Sequence, residues 1–195
     1  MFTGIIEEMG GVEKIVKKPK KIELFIKTKL AKKFFNRGNS IAVNGACLTV
    51  ETFDLKRGVF SAHLVQETLD KTHFKTLKEK DLVNLEVPLR LSDFLHGHLV
   101  SGHVDGVATV KNFKDYLELN VPKDLFAFCP SKGSLTVNGV SLTIAKSKNN
   151  SVSLALIPET LKKTNLSSLK KGDQVNIEVD LLARYLEHYV RNRRI

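Results

Sequence analysis

Apolar and polar positions alternate along this chain in short runs separated by turn-forming residues. Ile22-Glu23-Leu24-Phe25-Ile26, Ser40-Ile41-Ala42-Val43 and Leu82-Val83-Asn84-Leu85-Glu86-Val87 have the branched or period-two character of β-strands. Asn44-Gly45 and Asn138-Gly139 predict two-residue hairpins, because a type I′ turn needs positive φ at both central positions. Helical signals are few. Lys29 to Asn36 and Asp124 to Phe128 each predict a short helix. Near the C-terminus, Leu181, Leu182, Tyr185, Leu186, Tyr189 and Val190 fall on one helical stripe, with Asp180 at the N-cap position. Such a helix has no core of its own to cover. It is expected either to mediate oligomerisation or to pack against its own chain.

The pattern occurs twice. Val43-Asn44-Gly45-Ala46-Cys47-Leu48-Thr49-Val50 recurs 94 positions later as Val137-Asn138-Gly139-Val140-Ser141-Leu142-Thr143-Ile144. Gln66-Glu67-Thr68-Leu69 matches Pro158-Glu159-Thr160-Leu161, and Val83-Asn84-Leu85-Glu86 matches Val175-Asn176-Ile177-Glu178. Thr3-Gly4-Ile5-Ile6-Glu7 lines up with Ser101-Gly102-His103-Val104-Asp105. These matches divide the chain into repeats at residues 1–88 and 96–180, a linker from Pro88 to Leu95, and a helix with a basic tail at 181–195. Many short strands in under 100 residues predict an all-β fold with a small closed barrel in each repeat. Strand parity then puts Ala46, Leu48 and Val50 on one face and Cys47 and Thr49 on the other. The same holds for Val140, Leu142 and Ile144 against Ser141 and Thr143. If the apolar rows fill the barrels, Cys47 and Ser141 point outward, and a ligand lies on the barrel exterior.

Composition narrows the class without changing this picture. The formal charge of +10 raises nucleic-acid binding, but the basic residues are a loop at Lys17-Lys18-Pro19-Lys20-Lys21, a tail with Arg191, Arg193 and Arg194, and lysines scattered among acids. Aromatic interleaving for base stacking is absent, so a solvated surface is the reading and no nucleic-acid partner is expected. No apolar run reaches the roughly 20 residues that span a bilayer, and the N-terminus does not read as a signal peptide. A cytoplasmic protein without a membrane partner is expected. Two cysteines, Cys47 and Cys129, give neither a disulfide framework nor a Cys-rich zinc site, and no metal is called for.

The ordered set Met1-Phe2-Thr3-Gly4-Ile5-Ile6-Glu7, the paired Val-Asn-Gly motifs, Gly97-His98-Leu99-Val100-Ser101-Gly102-His103-Val104-Asp105-Gly106 and Ile157-Pro158-Glu159-Thr160 closely resembles the riboflavin synthases, from residue 1 to about 190. The resemblance implies two tandem six-stranded Greek-key barrels related by a pseudo-two-fold axis, and a C-terminal helix that trimerises. It implies a cofactor-independent dismutation. One 6,7-dimethyl-8-ribityllumazine passes a four-carbon unit to a second, giving riboflavin and 5-amino-6-(D-ribitylamino)uracil. Two substrate molecules per site are expected, held between the N-terminal barrel of one subunit and the C-terminal barrel of its neighbour. The partners implied are two further copies in a homotrimer and an association with lumazine synthase. The alternative is a non-catalytic lumazine- or flavin-binding protein of the same fold.

The resemblance and the repeat together nominate residues. His103, whose counterpart is Ile5, is the candidate for proton exchange near neutral pH. Cys47 is a candidate nucleophile, or a group that places water at the ring carbon attacked, C7. Its counterpart Ser141 is the third catalytic candidate, expected to hydrogen-bond the heterocycle or a water. Substrate contacts carried over from the family are Phe2, Thr3, Gly4, Ile5, Ile6, Ala46, Leu48 and Thr49 at the first motifs. They continue through Ala62, His63, Leu64, Val65, Gln66, Glu67 and Thr68, then Gly102, Val104, Lys132, Leu142 and Thr143. Ala155, Leu156, Ile157, Pro158, Glu159 and Thr160 complete the second repeat's segment. Asp180 is either a site residue or simply a helix cap, and His98 reads as structural.

Overall fold

The computed structural model describes residues 1–18, 21–30 and 35–192. In the first repeat the strands are β1 (Glu8–Lys18), β2 (Lys21–Lys27), β3 (Ser40–Val43), β4 (Ala46–Asp54), β5 (Val59–Leu64) and β6 (Leu82–Glu86). In the second they are β7 (Gly106–Phe113), β8 (Leu117–Asn120), β9 (Ser134–Val137), β10 (Val140–Lys148), β11 (Ser151–Leu154) and β12 (Gln174–Val179). Each set closes into an antiparallel barrel. The order around the first is β1-β2-β5-β4-β3-β6, and the second repeats it strand for strand with β7 in the place of β1. This is Greek-key order, since β2 lies beside β5 and not beside its sequence neighbour β3.

The local chemistry behind closure is the same in both copies. Asn44 and Gly45 have φ of 42° and 81°, and Asn138 and Gly139 have 44° and 82°, as the type I′ reading requires. Register breaks fall at equivalent places, between Val12 and Lys14 and between Val110 and Asn112, and again at Val50/Thr52 and Ile144/Lys146. A bulge adds local twist, and four of them help bend short sheets into closed barrels. Alternate residues fill the interiors: Leu24, Ile26, Val50, Phe60 and Leu85 in one, Leu119, Leu135, Ile144, Leu154 and Ile177 in the other.

Helical pieces are short. They are α1 (Gln66–Lys71), α2 (Lys123–Phe126), α3 (Pro158–Lys163) and the terminal α4 (Leu181–Asn192). The predicted Asp124–Phe128 helix corresponds to α2. The expected Lys29–Asn36 helix centres on residues outside the described ones, as do Pro19 and Lys20 of the basic loop and Arg193 and Arg194 of the tail. Helices α1 and α3 are too short for a 3.6-residue period to register in sequence. Along α4, Leu182, Tyr185, Leu186, Tyr189 and Val190 are exposed, so most of the apolar stripe is open to solvent. Among the described residues no helix is long and apolar enough to cross a membrane.

The two barrels meet across the pseudo-two-fold axis, and here the segments preceding β1 and β7 change sides. Phe2 and Val100, equivalent positions, pair with each other as a small antiparallel bridge, Phe2 N–H donating to Val100 C=O at 2.7 Å. Beyond it the chain ends cross. Ile6 is buried in the core of the second barrel, while Val104 packs against the core of the first. Asparagines tie the junction together. Asn84 Nδ2 donates to Asn138 C=O at 2.8 Å, and Asn176 Nδ2 donates to Asn44 C=O at 2.9 Å.

Candidate active site

The crossed segments form two lips, and each lip roofs the outer face of the opposite barrel. Cys47 N–H donates to Gly102 C=O at 2.8 Å, and Ser141 N–H donates to Gly4 C=O at the same distance. Both glycines have positive φ, 81° and 76°. A Cβ on Gly102 would lie 2.6 Å from the Cβ of Cys47, and one on Gly4 equally close to that of Ser141. Only glycine supplies that backbone shape and that proximity together.

A buried carboxylate holds each lip. Glu86 Oε1 accepts from Thr3 N–H at 2.6 Å and Thr3 Oγ1 at 2.8 Å, while Oε2 accepts from Gly4 N–H at 3.1 Å. Glu178 repeats the pattern with Ser101 N–H at 2.7 Å, Ser101 Oγ at 2.6 Å and Gly102 N–H at 3.0 Å. Burial raises the Glu86 carboxyl from 4.5 to about 6, against the opposing effect of its three donors. Burial likewise raises Glu178.

Two matched grooves result. The first, about 250 Å³, is walled by Ala46 and Cys47 of β4, by Glu67, Thr68, Lys71 and Thr72 of α1 and its C-cap, and by Gly102, His103 and Val104 of the lip. The second, about 200 Å³, presents Val140 and Ser141, then Ile157, Glu159, Thr160, Lys163 and Thr164, under Gly4, Ile5 and Ile6. The walls correspond position by position except at Ile157, whose counterpart Val65 does not line the first groove. They differ in chemistry at Cys47 against Ser141 and at His103 against Ile5, so the thiol and the exposed imidazole share one groove.

An imidazole outside the residues lining the second groove contacts its Ser141 hydroxyl. His98 Nδ1 lies 2.7 Å from Ser141 Oγ, and its Nε2 lies 3.2 Å from the hydroxyl of buried Thr136. Burial holds the His98 ring below the usual histidine range, with the nearby Asp180 charge opposing. A neutral ring wedged between two hydroxyls can pass a proton through Ser141. The sequence reads His98 as structural, and the structure adds that its ring is held between two hydroxyls, one of them that of Ser141. In the first barrel the position of Thr136 is taken by Ala42, which packs with Phe2 and Val100 beside Cys47.

Other nominated residues are distributed unevenly. Cys47 and Ser141 point out of their barrels, as parity implied, while Ala46, Leu48, Val140 and Leu142 point in. Leu48, Leu142, Ala62 and Leu64 have core-facing side chains, so they can offer a ligand only backbone. Phe2 is fully buried and backs Cys47 rather than facing either groove. Thr3 is spent on Glu86. Thr49 and Thr143 are exposed on the outward face, one step along from Cys47 and Ser141. His63 lies half-buried between Glu23 and Glu51, 3.8 and 3.5 Å away. Val65 and Ile157 are exposed N-caps of α1 and α3, Gln66 hydrogen-bonds Asp70, and Pro158 opens α3. Ala155 is exposed, and Leu156 leans on the second core. Lys132 sits in the turn before β9 with φ of 68°, outside the residues lining either groove. Asp180 caps α4, accepting from Leu182 N–H at 2.9 Å. Lys71, Thr72, Lys163 and Thr164 line the grooves and were not singled out. Each pair keeps the spacing of 92 that links Glu67 to Glu159, and that repetition was the available signal.

Comparison with known proteins follows this geometry closely. The model of the lumazine binding domain matches twice, at residues 3–88 and 101–180. Riboflavin synthase of Photobacterium leiognathi is 40% identical over 98% of this chain and 89% of its own length. That of Bacillus subtilis (strain 168) is 37% identical over 97% of this chain and 90% of its own. Among solved structures, LumP complexed with riboflavin superposes with a TM-score of 0.79 at 31% identity, covering 92% of this chain and 99% of that one. LumP complexed with 6,7-dimethyl-8-(1'-D-ribityl) lumazine gives a TM-score of 0.79 at 29% identity over the same shares.

Proposed function

The chain belongs to the riboflavin synthase family of proteins built from paired lumazine binding domains, and from that membership we propose that it catalyses the dismutation of 6,7-dimethyl-8-ribityllumazine. One molecule surrenders four carbons and leaves as 5-amino-6-(D-ribitylamino)uracil. The other becomes riboflavin. Electrons move only between two copies of one compound, so the redox change closes without a cofactor. The observation that carries this reading is the pair of grooves alike in their walls and unlike at Cys47/Ser141 and His103/Ile5. Two identical substrates with opposite fates call for two similar cradles with different chemistry.

The roles follow from placement. His103 is exposed in the first groove and exchanges the proton of the acidified C7 methyl. Cys47 sits beneath it and adds to C7 or sets the water that does. Ser141, backed by His98, binds the other ring and trades a proton with it. The glycine lips let a flat heterocycle lie close to the backbone. Lys71 and Lys163 stand at corresponding edges, where cations stabilise carbonyl oxygens that gain charge. The exposed stripe of α4 is the surface through which three copies assemble. The reacting pair is then completed by the first groove of one copy and the second groove of its neighbour.

A binding protein without turnover is the second reading, favoured by the likeness to LumP. One assay separates the two. Incubated with the lumazine alone, the protein is expected to yield riboflavin and the pyrimidine in equal amounts. Persisting fluorescence of bound lumazine, with no pyrimidine released, supports the binding protein instead.

A further inference from the structure

We propose that Glu178 is a positioning residue for the first groove: it fixes Ser101 and Gly102 of the second repeat so that His103 is held over Cys47 of the first. The proposal rests on the functional reading above and deepens it. Among the described residues, the side-chain hydrogen bonds of Glu178 all go to this lip. The carboxylate is 2% exposed, a costly place for a charge whose only purpose is packing. Its hold continues directly into the groove. Gly102 passes its carbonyl to Cys47 N–H at 2.8 Å, and Ser101 Oγ, bonded to Glu178, accepts from His103 N–H at 3.1 Å. Three residues in a row are therefore set by one carboxylate. One of them bonds the backbone of Cys47, and the next carries the imidazole.

The other copy provides an internal control. Glu86 makes the same bonds to Thr3 and Gly4, and that lip covers Ser141, not Cys47. A general loosening of the molecule would be felt equally from either carboxylate. Glu86 reaches Cys47 only indirectly, through Phe2 beside Thr3, so a positioning effect on the first groove should be far larger from Glu178.

The thiol reports the difference without reference to turnover. Cys47 is half-buried under the lip, whereas Cys129 is fully buried and stays silent. Iodoacetamide alkylation of Cys47, followed by mass spectrometry, is measured in the full chain and its variants. Glu178→Gln and Ser101→Ala should alkylate about tenfold faster than wild type, as expected when a charge-assisted hydrogen bond to the lip is lost. Ser101→Thr should react at the wild-type rate, because Thr3 makes these very bonds in the other copy. Glu86→Gln should raise the rate far less, because that lip bears on Cys47 only through Phe2. In steady-state assays with the lumazine, Glu178→Gln should lower kcat about tenfold with little change in KM. Equal acceleration by Glu86→Gln, or wild-type alkylation in both Glu178→Gln and Ser101→Ala, overturns the proposal. If Glu178→Gln does not fold, Ser101→Ala against Ser101→Thr decides it. A wild type that makes no riboflavin ends the functional reading, and the alkylation rates still judge the clamp.

Discussion

His98 Nδ1 and Ser141 Oγ lie 2.7 Å apart, joining the segment before β7 to the outer face of β10 across 43 positions of sequence. The contact gives the second groove a hydroxyl with an adjacent base, while the thiol of the first groove has an exposed imidazole on the lip above it. The first groove thus holds a histidine in its lip, whereas the hydroxyl of the second has one beside it that does not line the groove. The repeat supplied the frame, and the histidines were fitted to it separately.

Replacing His98 by Gln keeps a partner for Ser141 but removes proton exchange. Turnover should fall about tenfold to a hundredfold, with KM changed far less. Steady-state kinetics with 6,7-dimethyl-8-ribityllumazine measures it, and an unchanged kcat would return His98 to a purely structural role.

His103→Gln should lower kcat about a hundredfold or more, while the lumazine still binds with nearly wild-type affinity. Fluorescence titration separates affinity from rate. Loss of binding in step with loss of turnover would make His103 a binding residue instead.

Glu86 gives a pH signature in stability. Burial raises its carboxyl from 4.5 to about 6, so the folded protein holds this proton more tightly than the unfolded chain does. Its stabilising contribution is fully present below about pH 4.5 and is lost as the pH climbs through about 6. The loss amounts to about 2 kcal/mol. Urea unfolding of wild type and Glu86→Gln at pH 4.5 and pH 7 tests this. The wild type should lose about 2 kcal/mol relative to the variant over that interval, and a constant difference would contradict the assignment.

Ile6 belongs to the first repeat in sequence but is buried in the second barrel's core. Ile6→Ala should therefore destabilise the protein by about 2–4 kcal/mol. Hydrogen exchange should show the protection lost mainly in β9, β10 and β12. Loss concentrated in the first barrel would contradict the crossing.

Much of this was legible in the sequence because it is written locally. The Asn-Gly pairs announce their turns through backbone preference, and period-two alternation in β4 and β10 tells which way Cys47 and Ser141 face. The spacing between copies announced two like sites. What was not legible depends on distant parts meeting. Glu86 and Glu178 look like ordinary strand ends, and nothing near them in sequence says that a lip lies on the carboxylate. The exchange of Ile6 and Val104 between cores is equally silent, since an apolar residue fits either interior. Helices α1 and α3 escaped notice because a six-residue helix offers less than two turns of pattern.

The crossed lips carry an implication for origins. A single repeat has a strand wall and a short helix but must borrow its roof from a twin, so an ancestor of half this length would have had no complete cradle as a monomer. For such an ancestor pairing is a precondition of a complete cradle, and tandem fusion makes that pairing permanent. Only then could one cradle keep a thiol and the other a hydroxyl, because in a dimer of identical chains any change in one appears in both.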